Sequence, residues 1–231
     1  MIRGIIFDLD GVLVDSLPCH FAAWREFLGG FGVRYTKAQF VTEIGPSTRQ
    51  LMAGRIKRHR LPVTVDEGVR RKEALFEQRL LEGPIVFEGV RRMLAGLKPY
   101  ALAVATSAGR RLAQSVLASA GVAARFRAVV TSDDVRDTKP APDVFLEAAR
   151  RLRLGAGECV AVDDAPSGIS AARRARMRVI GVATSFRRSD LVGADAVVKR
   201  TADVPGLLRA WQRTGRETGT LPATPRRPRS G

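Results

Sequence analysis

Two aspartates lie one residue apart where the first apolar run of the chain ends. The run Gly4–Leu9 is typical of a buried parallel strand, and Asp8, Asp10 and Gly11 stand at its end. Residues i and i+2 of an extended backbone point to the same side, so the two carboxylates can converge. In apolar surroundings they would repel each other and lose hydration unless a cation compensated their charge. The pair predicts a site for a hard divalent ion such as Mg²⁺, and a solvated strand end at the surface is the alternative.

A second acidic pair follows another apolar run. Asp163 and Asp164 come directly after Cys159–Val162. Adjacent residues in a turn can both reach one metal ion, either directly or through a water molecule. We therefore expect both aspartates to contribute to the same Mg²⁺ site, with the contact of Asp163 either direct or through water.

Two further segments carry groups that suit phosphate. Thr106 and Ser107 follow the apolar run Ala101–Ala105, where a hydroxyl and free backbone N–H groups can bind phosphate oxygens. Lys139 lies in a loop stiffened by prolines, where it can offset the charge of the carboxylates and hold a transferred phosphoryl group. The alternatives are an ordinary helix cap for the hydroxyls and a solvated surface position for the lysine.

The segments that must position these side chains alternate between strand and helix. This alternation predicts an α/β fold with a doubly wound parallel sheet, whose ligands bind beyond the carboxyl ends of the strands. The predicted strands are Gly4–Leu9, Ala101–Ala105, Ala128–Thr131, Cys159–Val162, Val179–Val182 and a weaker Ala196–Val198. The predicted helices between them are Val90–Leu97, Leu112–Ala120, Val144–Leu152 and Gly168–Ala175.

One region departs from this alternation. Residues 16–83 show only helical patterns, so we expect a helical cap domain inserted into a core formed by residues 1–15 and 84–205. Both connections lie next to the Asp8 and Asp10 loop, which favours a lid over the metal site rather than an independent helical domain. The predicted cap helices are His20–Leu28, Thr36–Glu43, Ser47–His59 and Val65–Leu81.

Composition narrows the class of protein. No apolar run reaches membrane-spanning length, and the two cysteines, Cys19 and Cys159, predict free thiols in a reducing compartment. We expect a cytoplasmic enzyme, with a monomer as the default. The net charge of +16 suits the steering of anionic small molecules, whereas specific nucleic-acid binding is not expected because no basic groove motif is present. The basic, proline-rich tail, residues 212–231, is predicted to be disordered and could bind nucleic acid weakly.

The four motifs together resemble one enzyme family. Asp8-x-Asp10-Gly11-x-Leu13, Thr106, Lys139-Pro140 and Asp163-Asp164 occur in the order and spacing of the haloacid dehalogenase-like hydrolase superfamily. The resemblance extends to about residue 205. The residues around the last two motifs are similar to those of the sugar-phosphatase and beta-phosphoglucomutase-like branch. It implies a Rossmann-like core with a small α-helical cap.

The resemblance also implies a role for each motif. Asp8 would be the nucleophile that forms an aspartyl-phosphate, and Asp10 would protonate the leaving alcohol and then activate water. An acid with that task needs a raised pKa. Mg²⁺ would be held by Asp8, the Asp10 carbonyl, Asp164 and Asp163. Thr106, the Ser107 amide and Lys139 would grip the phosphoryl oxygens.

The cap residues bear on the kind of phosphotransfer. The second aspartate argues for a phosphate ester rather than a haloacid or a phosphonate. His20 and Trp24 match the mutase-like sequence, although a His and a Trp on an amphipathic helix are more often core residues. His20 is a candidate ligand of the substrate, and Arg49 is a candidate ligand of its phosphate. The residues after Thr106 lack the Lys-Asn pair associated with the mutase. The sequence therefore predicts a Mg²⁺-dependent phosphatase acting on a small sugar or polyol phosphate.

Two other functions remain as alternatives. The first is a sugar phosphomutase of the beta-phosphoglucomutase type, and the second is a non-catalytic basic protein that binds nucleic acid on the same scaffold. Two departures from the family pattern affect local geometry: Thr138 stands where Gly usually precedes the motif lysine, and Arg176 stands at the end of a predicted helix where Gly is usual.

Overall fold

A six-stranded, all-parallel sheet forms the centre of the protein. The computed structural model describes residues 1–80, 82 and 86–218. The strands lie in the order β3-β2-β1-β4-β5-β6, which confirms the predicted doubly wound α/β fold. Their bounds are β1 Gly4–Phe7, β2 Ala101–Ala105, β3 Ala128–Val130, β4 Cys159–Asp163, β5 Arg178–Val182 and β6 Ala196–Val198.

Nine helices in the described part of the chain surround or cover this sheet. Their bounds are α1 Leu17–Gly29, α2 Lys37–Thr42, α3 Thr48–His59, α4 Val65–Leu80, α5 Val90–Gly96, α6 Arg110–Ser119, α7 Asp143–Leu152, α8 Pro166–Arg174 and α9 Val204–Thr218. Every predicted strand and helix has a counterpart here, with bounds that differ by up to three residues. None of the described helices combines the length and the apolarity needed to cross a membrane.

Strand β1 is central because its side chains are apolar on both faces. It pairs with β2 on one side and with β4 on the other, so that Ile5 lies beside both Leu102 and Val160. Ile5 and Phe7 pack into the hydrophobic core on one face of the sheet, and Ile6 packs into the core on the other. This alternation follows from the two-residue period of a strand. The same period determines the face of the sheet to which the next side chain at the carboxyl end points.

The inserted region, as far as it is described, is entirely helical. Helices α1–α4 enclose their own hydrophobic core around Trp24, Phe27 and Met52. Helices α2 and α3 begin with capping boxes, in which Thr36 pairs with Gln39 and Ser47 with Gln50. The cap is therefore a packed unit that is inserted into the chain after the first motif.

The chain around the first motif turns earlier than the sequence predicts. Strand β1 ends at Phe7, because the Leu9 carbonyl accepts a hydrogen bond from Leu13 N–H at 2.9 Å instead of continuing the ladder. Helix α9 was not predicted at all. It runs to Thr218, so the expectation of disorder is wrong for residues 212–218, and residues 219–231 lie outside the described residues.

Helix α8 ends on an arginine in the left-handed conformation. Arg176 has φ +60°, and Met177 N–H and Arg176 N–H bond back to Ala172 and Arg173 carbonyls at 3.1 and 3.0 Å. These two bonds form a Schellman motif, whose left-handed residue is usually glycine. The conformational cost anticipated for this position is therefore present.

We predict that Arg176→Gly stabilises the protein, because glycine adopts a positive φ without steric conflict. The gain in the free energy of unfolding should be about 0.5–1 kcal/mol, measured by urea denaturation. Arg70 is exposed in the interior of α4, so Arg70→Gly is the matched control and should destabilise by about 1 kcal/mol. Destabilisation of the protein by Arg176→Gly would contradict this account of the helix end.

Candidate active site

The carboxyl ends of three neighbouring strands bring the sequence motifs together. Asp8 follows β1, Thr106 follows β2 and Asp163 ends β4. Adjacent parallel strands end at the same edge of a sheet, so these residues line one pocket between the core and the cap. Lys139 enters the same pocket from the loop that precedes α7.

Three clustered carboxylates have a single ammonium group beside them. Oxygens of Asp8, Asp163 and Asp164 lie within 4.8 Å of one another. Lys139 Nζ lies 2.7 Å from Asp8 Oδ1 and 2.8 Å from Asp163 Oδ2. The lysine is itself only 4 % exposed. Its single positive charge replaces little of the hydration that the three acids have lost.

The pKa values reflect this shortage of positive charge. Burial raises the pKa of Asp8 to about 7, with Lys139 opposing the rise and the neighbouring acids adding to it. Burial and the charges of Asp163 and Asp8 also raise the pKa of Asp164 well above its usual range. Carboxylates that resist ionisation in this way, with oxygens close enough to share one ion, fit a hard divalent cation.

Two glycines allow the backbone to approach these acids. Gly11 has φ +78°, and a side chain there would overlap the carboxylate of Asp164. Gly168, in the first turn of α8, leaves no room for a Cβ against the carboxylate of Asp163. The Gly that follows each acidic motif is thus required by the space that the carboxylates occupy.

Asp10 does not join the carboxylate cluster. Its Oδ1 accepts a hydrogen bond from Ser16 Oγ and lies 3.5 Å from His20 Nε2. Burial favours the neutral acid, but the bonds from His20 and Ser16 and the charge of Lys72 outweigh it and lower the pKa. The sequence-based expectation of a raised pKa is therefore wrong for this arrangement, because His20, Ser16 and Lys72 together favour the ionised carboxylate.

A buried lysine sets the state of that histidine. Lys72 is fully buried, and its Nζ lies 2.7 Å from His20 Nδ1. An ammonium can only donate, so Nδ1 accepts and the ring proton resides on Nε2, facing Asp10. Burial lowers the pKa of Lys72 to about 8 and, with the charge of Lys72, lowers that of His20. Lys72 was missed in the sequence analysis. The one signal for it is its position, four residues before Phe76 on the apolar side of α4.

Several hydroxyls in the pocket await a partner. Thr106 is buried and its Oγ1 accepts a hydrogen bond from Ala108 N–H at 3.1 Å. The Ser107 and Ser167 hydroxyls are buried in the pocket lining without any hydrogen-bond partner in the structure. Buried polar atoms are rarely left unpaired, so both hydroxyls suit the oxygens of a ligand. Ser167 was not singled out from the sequence.

Arg49 is the predicted site residue that the structure places elsewhere. Its guanidinium pairs with Asp66, and both side chains are exposed. It lines a separate cleft between cap and core, whereas its neighbour Thr48 lines the pocket that contains Asp8. The structure does not bring Arg49 to the carboxylate cluster.

The cap also touches the loop that carries the lysine. Thr138 Oγ1 donates to Gln50 Oε1 across 3.0 Å, which links the start of α3 to the residue before Lys139. On the outer side, Arg111 Nε of α6 lies 3.1 Å from Glu77 Oε1 of α4. These contacts hold the cap over the pocket.

Comparison with known proteins bears on the same residues. The family described as haloacid dehalogenase-like hydrolase matches residues 5–182. The fructose-1-phosphate phosphatase YqaB of Escherichia coli (strain K12) is 34% identical over 181 residues, covering 78% of this chain and 95% of that protein. The beta-phosphoglucomutase of Bacillus subtilis (strain 168) is 28% identical over 209 residues, covering 87% and 91%.

A solved structure has a similar fold. CbbY from Rhodobacter sphaeroides, crystallised in complex with phosphate, superposes with a TM-score of 0.79 at 25% identity, over 88% of this chain and 96% of that one. The resemblance inferred from the motifs is confirmed: the chain belongs to the haloacid dehalogenase-like hydrolase family.

Proposed function

We propose that this protein is a Mg²⁺-dependent phosphatase that hydrolyses a small sugar or polyol phosphate through an aspartyl-phosphate. The observation that carries the proposal is the contact of Lys139 Nζ with Asp8 Oδ1 at 2.7 Å, in a pocket where the hydroxyls of Ser107 and Ser167 lack partners. A carboxylate, a cation and free donors at one edge of the sheet suit a phosphoryl group under attack. The names of the relatives support a phosphorylated carbohydrate as the substrate.

In the first step, an oxygen of Asp8 attacks phosphorus, and the bond from phosphorus to the ester oxygen breaks. The leaving alkoxide takes its proton from Asp10. In the second step, water attacks the acyl phosphate, gives a proton to Asp10 and releases phosphate, which restores Asp8. The low pKa of Asp10 in the structure rises when the phosphate dianion enters beside it, because a like charge disfavours ionisation.

Lys139, Thr106 and Ser107 would bind the phosphoryl oxygens during both steps. Asp8, Asp163 and Asp164 would hold Mg²⁺ through their carboxylates, and Asp10 through its carbonyl. When bound, the ion supplies positive charge against the phosphoryl oxygens and relieves the repulsion among the acids. His20 would orient the Asp10 carboxylate through its Nε2, and Lys72 would hold the His20 ring in place through Nδ1.

A sugar phosphomutase is the second candidate. His20 and Trp24 line the pocket, and one relative is a beta-phosphoglucomutase. A mutase would require a bisphosphate activator and would release no net phosphate. The other alternative, a non-catalytic basic protein that binds nucleic acid, is less well supported, because each catalytic position of the family pattern carries the expected residue. We further propose a cytoplasmic monomer, in keeping with the free thiols of Cys19 and Cys159.

We predict that Asp8→Asn abolishes phosphate release, with kcat falling at least about a thousandfold, because the amide cannot form the acyl phosphate. The measurement is phosphate release from a panel of sugar and polyol phosphates with Mg²⁺, and circular dichroism verifies the fold. Turnover near the wild-type rate in this variant would rule out Asp8 as the nucleophile.

We predict that Gly168→Ala lowers kcat at least about tenfold, because the new methyl group displaces the Asp163 carboxylate and with it Lys139. Gly54 in α3 has open space around it, so Gly54→Ala is the matched control and should leave kcat unchanged. Equal kcat values for the two variants in the same phosphate-release assay would show that the close approach at Gly168 has no role in positioning Asp163.

A further inference from the structure

The side of the pocket formed by the cap has a composition of its own. We propose that Glu43 makes this side selective for the neutral, hydroxylated end of a monophosphate and that it disfavours a second anionic group. The inference rests on the proposed function and names its substrate more closely. It assigns Glu43 as the residue that determines specificity.

The cap side of the pocket is mostly apolar. We call it the cap wall, and its members are Leu17, His20, Trp24, Phe40, Glu43, Ile44, Gly45, Pro46, Thr48 and Leu51. Among the described residues that line the whole pocket, Lys139 is the one Lys or Arg, and it already contacts Asp8 and Asp163. The cap wall therefore offers no ammonium or guanidinium group to a ligand.

Glu43 supplies the carboxylate of the cap wall. Its Oε2 accepts hydrogen bonds from the Tyr35 hydroxyl at 2.7 Å and from Arg55 Nη2. Its Oε1 has only a long contact with Arg58 Nη1 at 3.5 Å, and the side chain remains 22% exposed. An ionised carboxylate accepts hydrogen bonds from hydroxyls and cannot donate to phosphate or carboxylate oxygens.

The cations near the cap wall do not face the pocket. Arg55 lies with its guanidinium 3.8 Å from the centre of the Trp24 ring, and its charge is balanced by Glu43. Lys72 is fully buried against Trp24 and His20. Arg49 pairs with Asp66 outside the pocket. None of the three belongs to the pocket lining, so none can donate directly to a ligand there.

This arrangement distinguishes two kinds of substrate. A second phosphate or a carboxylate would lose its hydration at the cap wall without gaining an ammonium or guanidinium partner, which is costly. A polyol chain can lay its C–H groups on Trp24 and Phe40 and donate a hydroxyl to Glu43 Oε1. Monophosphates with a neutral, hydroxylated end are therefore favoured over bisphosphates and phosphocarboxylates.

The test is binding to the Asp8→Asn protein with Mg²⁺, measured by isothermal titration calorimetry. The probes are sorbitol phosphate, fructose bisphosphate and phosphoglycolate. We expect sorbitol phosphate to bind at least about tenfold more tightly than the other two. Adding Glu43→Gln should remove most of that preference, because the amide loses the negative charge and gains a donor.

A control and a gain of binding complete the design. Tyr35→Phe removes one hydrogen bond of Glu43 but keeps its charge and Arg55, so the preference should persist. Thr48→Arg adds a cation to the cap wall and should strengthen binding of fructose bisphosphate about tenfold. Thermal melting checks that each variant is folded.

The inference is overturned if fructose bisphosphate or phosphoglycolate binds as tightly as sorbitol phosphate, or if Glu43→Gln retains the full preference. Because binding is measured without turnover, the two proposals fail separately. Absence of phosphate release from the wild-type protein would refute the phosphatase while selective binding still supported the cap wall, and unselective binding with normal release would do the reverse.

Discussion

The crowding of three largely buried carboxylates around one lysine constrains the rest of the structure. Asp8 and Asp163 are brought together because β1 and β4 are neighbours in a parallel sheet and end at the same edge. Lys139 reaches both and leaves a net negative charge in a site with little water. The glycines beside the acids keep the backbone close, at the cost of any side chain there. Such a site suits a divalent cation, which would relieve the repulsion among the acids.

The two aspartates of the first motif have different surroundings because the backbone turns between them. After Phe7 the Leu9 carbonyl accepts N–H groups of the following turn, and the chain bends away from the sheet. Asp8 stays with the cluster, while Asp10 meets Ser16 and His20 at the start of the cap. The position of the cap therefore sets the environment of Asp10, the proposed general acid. Lys72, on the last cap helix, completes this link from within the cap core.

Much of this arrangement follows from local patterns in the sequence. The strands were predictable because each is a short apolar run followed by turn residues. Asp8, Thr106 and Asp163 lie at the ends of such runs, and Lys139 lies in a loop between two of them. Residues that depend on tertiary contact were not. Ser185, which donates to Asp164, lies 21 residues beyond it, and nothing local marks it.

The helices of the cap were predictable from the sequence, but the cap residues that face the pocket were not. Arg49 and Thr48 are adjacent, and only the register of α3 decides which of them faces the pocket. Glu43 could have been any exposed acid at a helix end, since its meaning comes from Tyr35 and Arg55, elsewhere in the cap. The pKa of Asp10 was misjudged for the same reason: its partners come from the cap.

The division of labour between the acids is the central claim, and Mg²⁺ binding measured by isothermal titration calorimetry tests it most directly. Asp164→Asn should weaken binding at least about tenfold, since it removes a carboxylate ligand. Asp10→Asn should leave the affinity unchanged, because its carboxylate faces Ser16 and His20 and only its carbonyl would meet the ion. A loss of Mg²⁺ affinity in Asp10→Asn as large as that in Asp164→Asn would contradict the account.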